Sequence, residues 1–217
     1  MNNTKLKPMP LSQTVLFFGV PAAIGVLGLY VLMPALAAAG VSLLANYLIS
    51  FVGMFPLLVV ASLVAYRLEG NPISWRGLRQ RFRLFSLDRR EWLWTLGLLV
   101  VFVGGQILLM PTATWLATAL PLRIPEGLPH VLDPRVAKTT VPTDFWGLPL
   151  QDNWSLALLH LTILVFNILS EEFWWRGYVL PRQELVHGRW TWVVHGVAWT
   201  LFHMPMWWNL LALLPST

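Results

Sequence analysis

Pro8 to Tyr66 reads PMPLSQTVLFFGVPAAIGVLGLYVLMPALAAAGVSLLANYLISFVGMFPLLVVASLVAY, 59 residues without one Asp, Glu, Lys or Arg. A helix needs about 20 predominantly apolar residues to cross a bilayer. The stretch is long enough for two crossings, and the chain is expected to turn between them at Pro34 to Gly40. Three more uncharged stretches follow: Trp92–Leu122, Asn153–Ser170 and Trp190 to the carboxy terminus. The expected spans are 13–35, 42–66, 92–111, 154–176 and 190–213. The fold class is therefore all-α, a polytopic transmembrane helical bundle of about five spans. Residues 1–12 read as a mobile cytoplasmic tail and 13–217 as one transmembrane domain, with the motif-bearing core at 153–213.

Composition agrees. Charged residues make up 12% of the 217-residue chain, half of the roughly 25% in soluble domains. Hydrophobic residues at 56% exclude disorder, and the absence of Cys excludes disulfides, thiol catalysis and cysteine-held metals. Lys5 and Lys7 resemble the start of a secretory signal, but the apolar run exceeds the roughly 7–15 residues of such a signal. A first membrane helix is the better reading.

Lys and Arg set the expected orientation. The loop from Arg67 to Glu91 carries seven Arg, and Arg176, Arg182 and Arg189 follow the fourth span. The loop from Pro111 to Asn153, rich in Pro and expected to be irregular, holds only Arg123, Arg135 and Lys138. Five spans put the amino terminus and both Arg-rich segments on one side, the cytoplasm. The protein is thus expected in the cell membrane, multi-pass, with a cytoplasmic amino terminus. Positive-inside topology accounts for the net charge of +5, so nucleic acid is not an expected partner; membrane lipid is. Trp75, Trp92, Trp154, Trp190 and Trp207 flank spans, as interfacial belts do.

The chemistry sits at Asn167-Ile-Leu-Ser-Glu171-Glu172-Phe-Trp-Trp-Arg176-Gly177-Tyr178. Glu172 and Arg176 are four residues apart and can pair on one helix face. Glu171 lies about 100° round the helix, without an Arg at that spacing. His160 and Asn167 extend its face as a polar stripe, and polar stripes in spans face protein or water. On the next span His195, Trp199 and His203 recur every four residues, and Pro205 should kink the helix beside His203. A carboxylate can take a proton from water, and a neighbouring His can orient water, stabilise an oxyanion or ligate a metal. Each motif alone also reads as a span end or a packing histidine. His130 and His187 read as loop residues without a role.

Glu171-Glu172-x-x-x-Arg176-Gly177 resembles the first motif of the intramembrane CAAX-protease and bacteriocin-processing (CPBP) family, which includes the abortive-infection proteins. Trp199-Thr-Leu-Phe-His203 resembles its second, with Trp for Phe. The resemblance covers about Asn153 to Leu213 and implies an intramembrane endopeptidase, a hydrolase working through glutamate-activated water. It implies that Glu171 is the general base and His203 the second catalytic residue, with Glu172, Arg176 and Trp199 shaping the site. Asn167, His195 and His160 are auxiliary candidates. No cofactor is required on this reading; a divalent metal such as zinc, on Glu171 and His203, is the alternative it leaves open. Implied partners are membrane-associated peptides or proteins, prenylated ones among them. The family's third motif, His followed four residues later by Asn or Asp, falls outside this chain. The chain is accordingly expected to be a fragment, or His195, His160 or Asn167 to take the oxyanion role. Asn209, six residues after His203, is no substitute by spacing.

Two other functions fit the residues: a non-catalytic immunity or scaffold protein of the same fold, and a small transporter or proton relay. Because both motifs lie near the Arg-rich side, a water-filled cavity is expected to open there.

Overall fold

A computed structural model describes residues 6–130, 132–136 and 144–216. Lys5, Lys138, Pro142 and Thr217 lie outside them. α1 (Leu11–Leu27) passes through a π-helical turn (Gly28–Leu32) into α2 (Met33–Ala38). α3 (Leu43–Tyr47), a second π-helical turn (Leu48–Val52) and α4 (Met54–Leu68) form the return. α5 (Trp75–Arg81) lies in the Arg-rich loop. α6 (Arg89–Leu109) continues into α7 (Pro111–Ala119). After a short hairpin of Asp144–Phe145 with Leu148–Pro149 come α8 (Trp154–Glu171), a π-helical segment (Glu172–Val179), α9 (Leu180–His187) and α10 (Thr191–Phe202). A 3-10 segment (Met204–Asn209) and α11 (Leu210–Leu213) end the bundle.

Four helical stretches are long and apolar enough to cross a membrane: Leu11–Ala38, Leu43–Leu68, Arg89–Ala119 and Trp154–Phe202. The last holds the expected 154–176 span and the first part of the expected 190–213 span, with a break in the helix at Gly188 between them; the expected fifth span is not one helix, because it breaks after Phe202 at Pro205 and Met206. Gly188 has a φ of 51°, one that a side chain would resist. The bundle is thus all-helical with roughly the expected number of crossings.

Local differences have physical reasons. The first turn sits at Gly40, φ 75°, and Pro34 stays helical in the first turn of α2, where proline fits. Pro111 likewise opens a helix, so the outer loop begins as α7. The expected tail is ordered from its middle: Met9 is 2% exposed and its N–H donates to Arg182 O at 3.1 Å.

Backbone groups freed by proline or hidden from water find partners, as an apolar surround demands. Pro21 cannot bond the carbonyl of Phe17, and Trp174 Nε1 donates to that oxygen at 3.3 Å. Asn46 Nδ2 donates to Met33 O at 2.8 Å, and Ser50 Oγ to Asn46 Oδ1 at 2.9 Å, pinning the first two spans together. Gly28 lies against the Ser50 carbonyl, where a Cβ would have no room. Met9, Phe18, Trp175, Val179 and Phe202 form a buried layer in which the Phe18 and Trp175 rings stack at 4.1 Å. α6, by contrast, buries no residue and leans on α7 and the carboxy-terminal turns.

The Arg-rich loop docks on the motif. Phe82 is buried against Gly177, which leaves no space for a Cβ, and meets Phe173 edge-on at 4.9 Å. Arg81 Nη1 donates to Gly177 O at 2.7 Å. Glu69 pairs with both Arg81 and Arg182, and Arg182 lies 3.7 Å above the Tyr178 ring. Burial draws the Arg81 guanidinium below its ordinary pKa.

Candidate active site

α8 is helical because Asn153 caps it, Oδ1 accepting the Leu156 N–H at 3.2 Å, and because apolar residues fill its faces. It carries Asn167 and Glu171, then widens into the π-helical segment directly after Glu171. Such wide turns are frequent at functional sites. The two adjacent carboxylates part here. Glu172 pairs with Arg176 and faces Arg83 and Phe82 of the docked loop. Glu171 instead lines a cavity of about 300 Å³ together with Asn167, Phe202 and His203.

α10 supplies the rest. Trp199 Nε1 donates to Glu171 Oε2 at 3.1 Å. His203 Nδ1 lies 2.9 Å from Trp199 O, and the two rings meet edge-on at 4.3 Å. A carbonyl oxygen only accepts, so Nδ1 carries the hydrogen, and in the neutral ring Nε2 is left with the lone pair. One residue therefore fixes both members of the pair, the carboxylate through its indole and the imidazole through its backbone. Past His203 the helix breaks, with Pro205 and with Met206 at φ −115°, ψ 55°. That break turns Asn209 onto the same cavity.

Residues 153–216 match the family model described as Rce1-like, type II CAAX prenyl endopeptidase. The motif-bearing segment is similar to that family. No curated protein and no solved structure matches the chain. The Rce1-like segment is under a third of the chain; it begins at the Asn153 cap of α8 and takes in every residue of both motifs.

Within the Rce1-like segment the expected set is partly assembled. Glu171, Asn167 and His203 share the cavity, Trp199 braces two of them, and Glu172 and Arg176 pair as expected from spacing. His195 does not join them. It is buried behind α10, its Nδ1 2.7 Å from Gln183 Oε1 and its ring edge-on to Phe18. Eight residues at 100° leave it about 80° away from His203 round the helix, enough to face α1. His160 is also elsewhere, against Phe145 and Trp146 of the outer loop. Seven residues separate it from Asn167, about 10 Å of rise. Asn209, set aside on helical spacing, does reach the cavity, because the chain between it and His203 is not an α-helix. A proline two residues after the histidine was the available signal.

The expected opening toward the Arg-rich face is not what the Rce1-like segment forms. No lining residue comes from 66–91 or 172–190. The donors present do not suit zinc: among the described residues no three His, Asp or Glu gather where a metal could sit. Among the described residues Glu171 and His203 have no third protein ligand of the kind catalytic zinc sites use, since His195 and His160 are committed elsewhere.

Proposed function

We propose that this chain is an intramembrane endopeptidase of the CAAX-protease type, acting on membrane-associated peptides or proteins in the cell membrane. The supporting observation is the separation of the adjacent carboxylates: Glu172 is neutralised by Arg176, while Glu171 faces the cavity beside His203. Trp199 occupies Glu171 Oε2, so Oε1 is the oxygen that takes a proton from water. The hydroxide adds to the scissile carbonyl carbon, and the carbonyl oxygen becomes an oxyanion. Neutral His203 offers that oxygen no hydrogen from Nε2. The side-chain amides of Asn167 and Asn209 are two of the three neutral amide donors on the cavity wall, Gln106 being the third. His203 Nε2 is then an acceptor that orients the water. Glu171 returns the proton to the amide nitrogen as the C–N bond breaks.

Reconstituted protein offered a mixed peptide library should cleave it, and Glu171→Gln should lower the rate by at least about 100-fold, the low end for a lost general base. Glu172→Gln should instead lower thermal stability along with activity. Folded wild type that cleaves nothing, while Glu171→Gln is indistinguishable from it, returns the chain to the non-catalytic immunity or scaffold reading.

A further inference from the structure

Where the Arg-rich loop docks, it leaves a crevice of about 370 Å³ beside the motif. Phe82, Arg83 and Leu84 form one wall; Leu169, Phe173 and Arg176 stand on the other. The loop joins α4, which ends at Leu68, to α6, which starts at Arg89, so the crevice lies where two spans leave the membrane. Its two ends differ. One is cationic: Arg83 and Arg176 line it, and Arg79 stands at the rim, its Nε donating to Leu84 O at 2.7 Å. The other is apolar. Leu169 is 48% exposed within the α8 span, and Phe173 follows it by four residues. Seven residues, about 10 Å of helical rise, put Leu169 deeper in the membrane than Arg176.

The cations are not used up. Glu184 takes both Nη atoms of Arg83, and Glu172 takes Nη1 of Arg176. Among the described residues, Nε of Arg83, Nε and Nη2 of Arg176 and both Nη atoms of Arg79 donate to nothing. Guanidinium N–H groups match phosphate oxygens in geometry as well as charge. Glu172 is the one carboxylate on the lining, and Arg176 occupies it, so a headgroup cation meets no unpaired anion there. Arg83 holds a φ of 57°, which few side chains adopt. The turn sends Phe82 to Gly177 and leaves Arg83 and Leu84 on the crevice.

We infer that this crevice holds one anionic phospholipid from the leaflet on the Arg-rich side, its phosphate among Arg79, Arg83 and Arg176 and a chain running down past Phe173 and Leu169. The inference does not depend on the endopeptidase reading. Because the occupant touches both the loop and the π-helical segment, it ties the loop to the helix turn that carries Glu172 and Arg176.

Phospholipids with a photoactivatable diazirine in the acyl chain test the site. The purified chain in mixed micelles is offered phosphatidylglycerol or phosphatidylcholine probes of the same chain length, and crosslinked peptides are mapped by mass spectrometry. Phosphatidylglycerol should mark Leu169–Leu180 at least about fivefold more than phosphatidylcholine, the worth of one Arg at an anionic surface. Arg79→Gln, at an exposed position with one hydrogen bond, should remove about that much. Arg90→Gln, equally exposed but outside the crevice, should change nothing. Glu184→Gln frees the Arg83 guanidinium and should raise the marking. Glycerol phosphate, the same anion without chains, should not displace the probe. Equal marking by the two lipids overturns the inference. So does a loss in Arg90→Gln as large as in Arg79→Gln, which would show diffuse surface charge. A fall in Glu184→Gln overturns it too, because Arg83 would then act only by docking the loop. Displacement by glycerol phosphate would show a site for a free anion and not for a lipid.

Discussion

Trp175 and Leu98 both sit within long apolar helices, yet Trp175 is 1% exposed and Leu98 64%. The layer around Trp175 joins α1, α10 and the π-helical segment through stacked aromatic rings. α6 around Leu98 shows apolar side chains on every side. Hydropathy does not separate the two regions, because both are apolar enough for lipid. What separates them is packing: in a bilayer, close contact rather than escape from water holds helices together. The packed layer supplies Phe202 to the wall of the Glu171 cavity, and α6 supplies only Gln106.

That contrast can be broken by mutation. Trp175→Ala should cost about 3–5 kcal/mol, as large aromatic truncations in packed cores do, while Leu98→Ala should stay within about 0.5 kcal/mol. Unfolding in mixed micelles compares them; equal losses would dissolve the distinction. Glu69→Gln should cost about 3 kcal/mol, the low end for breaking a buried pair. Arg182→Met in the same background should recover part of it in a double-mutant cycle. Gly177→Ala should cost about 1–3 kcal/mol through overpacking, and Phe82→Ala should relieve that cost by vacating the space. If the pair is no better than Gly177→Ala alone, the loop does not dock there.

The smallest effect is expected from acid on the outer loop. Burial raises the Asp133 carboxyl, but hydrogen bonds from Arg135 and its charge outweigh this and leave it below its ordinary value of 3.8. A carboxyl lowered by folding stabilises the fold above its unfolded pKa and loses that contribution as pH falls through the folded one. Hydrogen exchange near Asp133 should therefore be flat from neutral pH down to about the ordinary carboxylate value and rise, corrected for intrinsic rate, only below it. Arg135 is half exposed, so the rise should be modest and weaker in salt.

The spans were legible because charge is excluded from them over whole stretches, a signal that needs no knowledge of packing. The Glu172–Arg176 pair was legible because both partners lie on one short helical stretch. Asn209 was not, since helical spacing says nothing once Met206 leaves helical dihedrals. Nor was the division between His195 and His203, where a small rotation per turn accumulates until one faces Gln183 and the other the cavity. Burial of Met9 depends on a backbone partner at Arg182, far along the chain, which no local pattern announces.

The ties of α1 have a consequence for biogenesis. Its partners lie far along the chain: Met9 meets Arg182, Thr14 meets Gln183, Phe18 meets Trp175 and His195, and Gly25 meets Pro205. Synthesis delivers α1 to the membrane well before these partners. Until they arrive the helix must therefore wait in lipid, or beside an insertase, with its Thr14 hydroxyl unclaimed. The aromatic layer around Trp175 closes only when α10 arrives, so Glu171 and His203 come together after both α8 and α10 are inserted and not before.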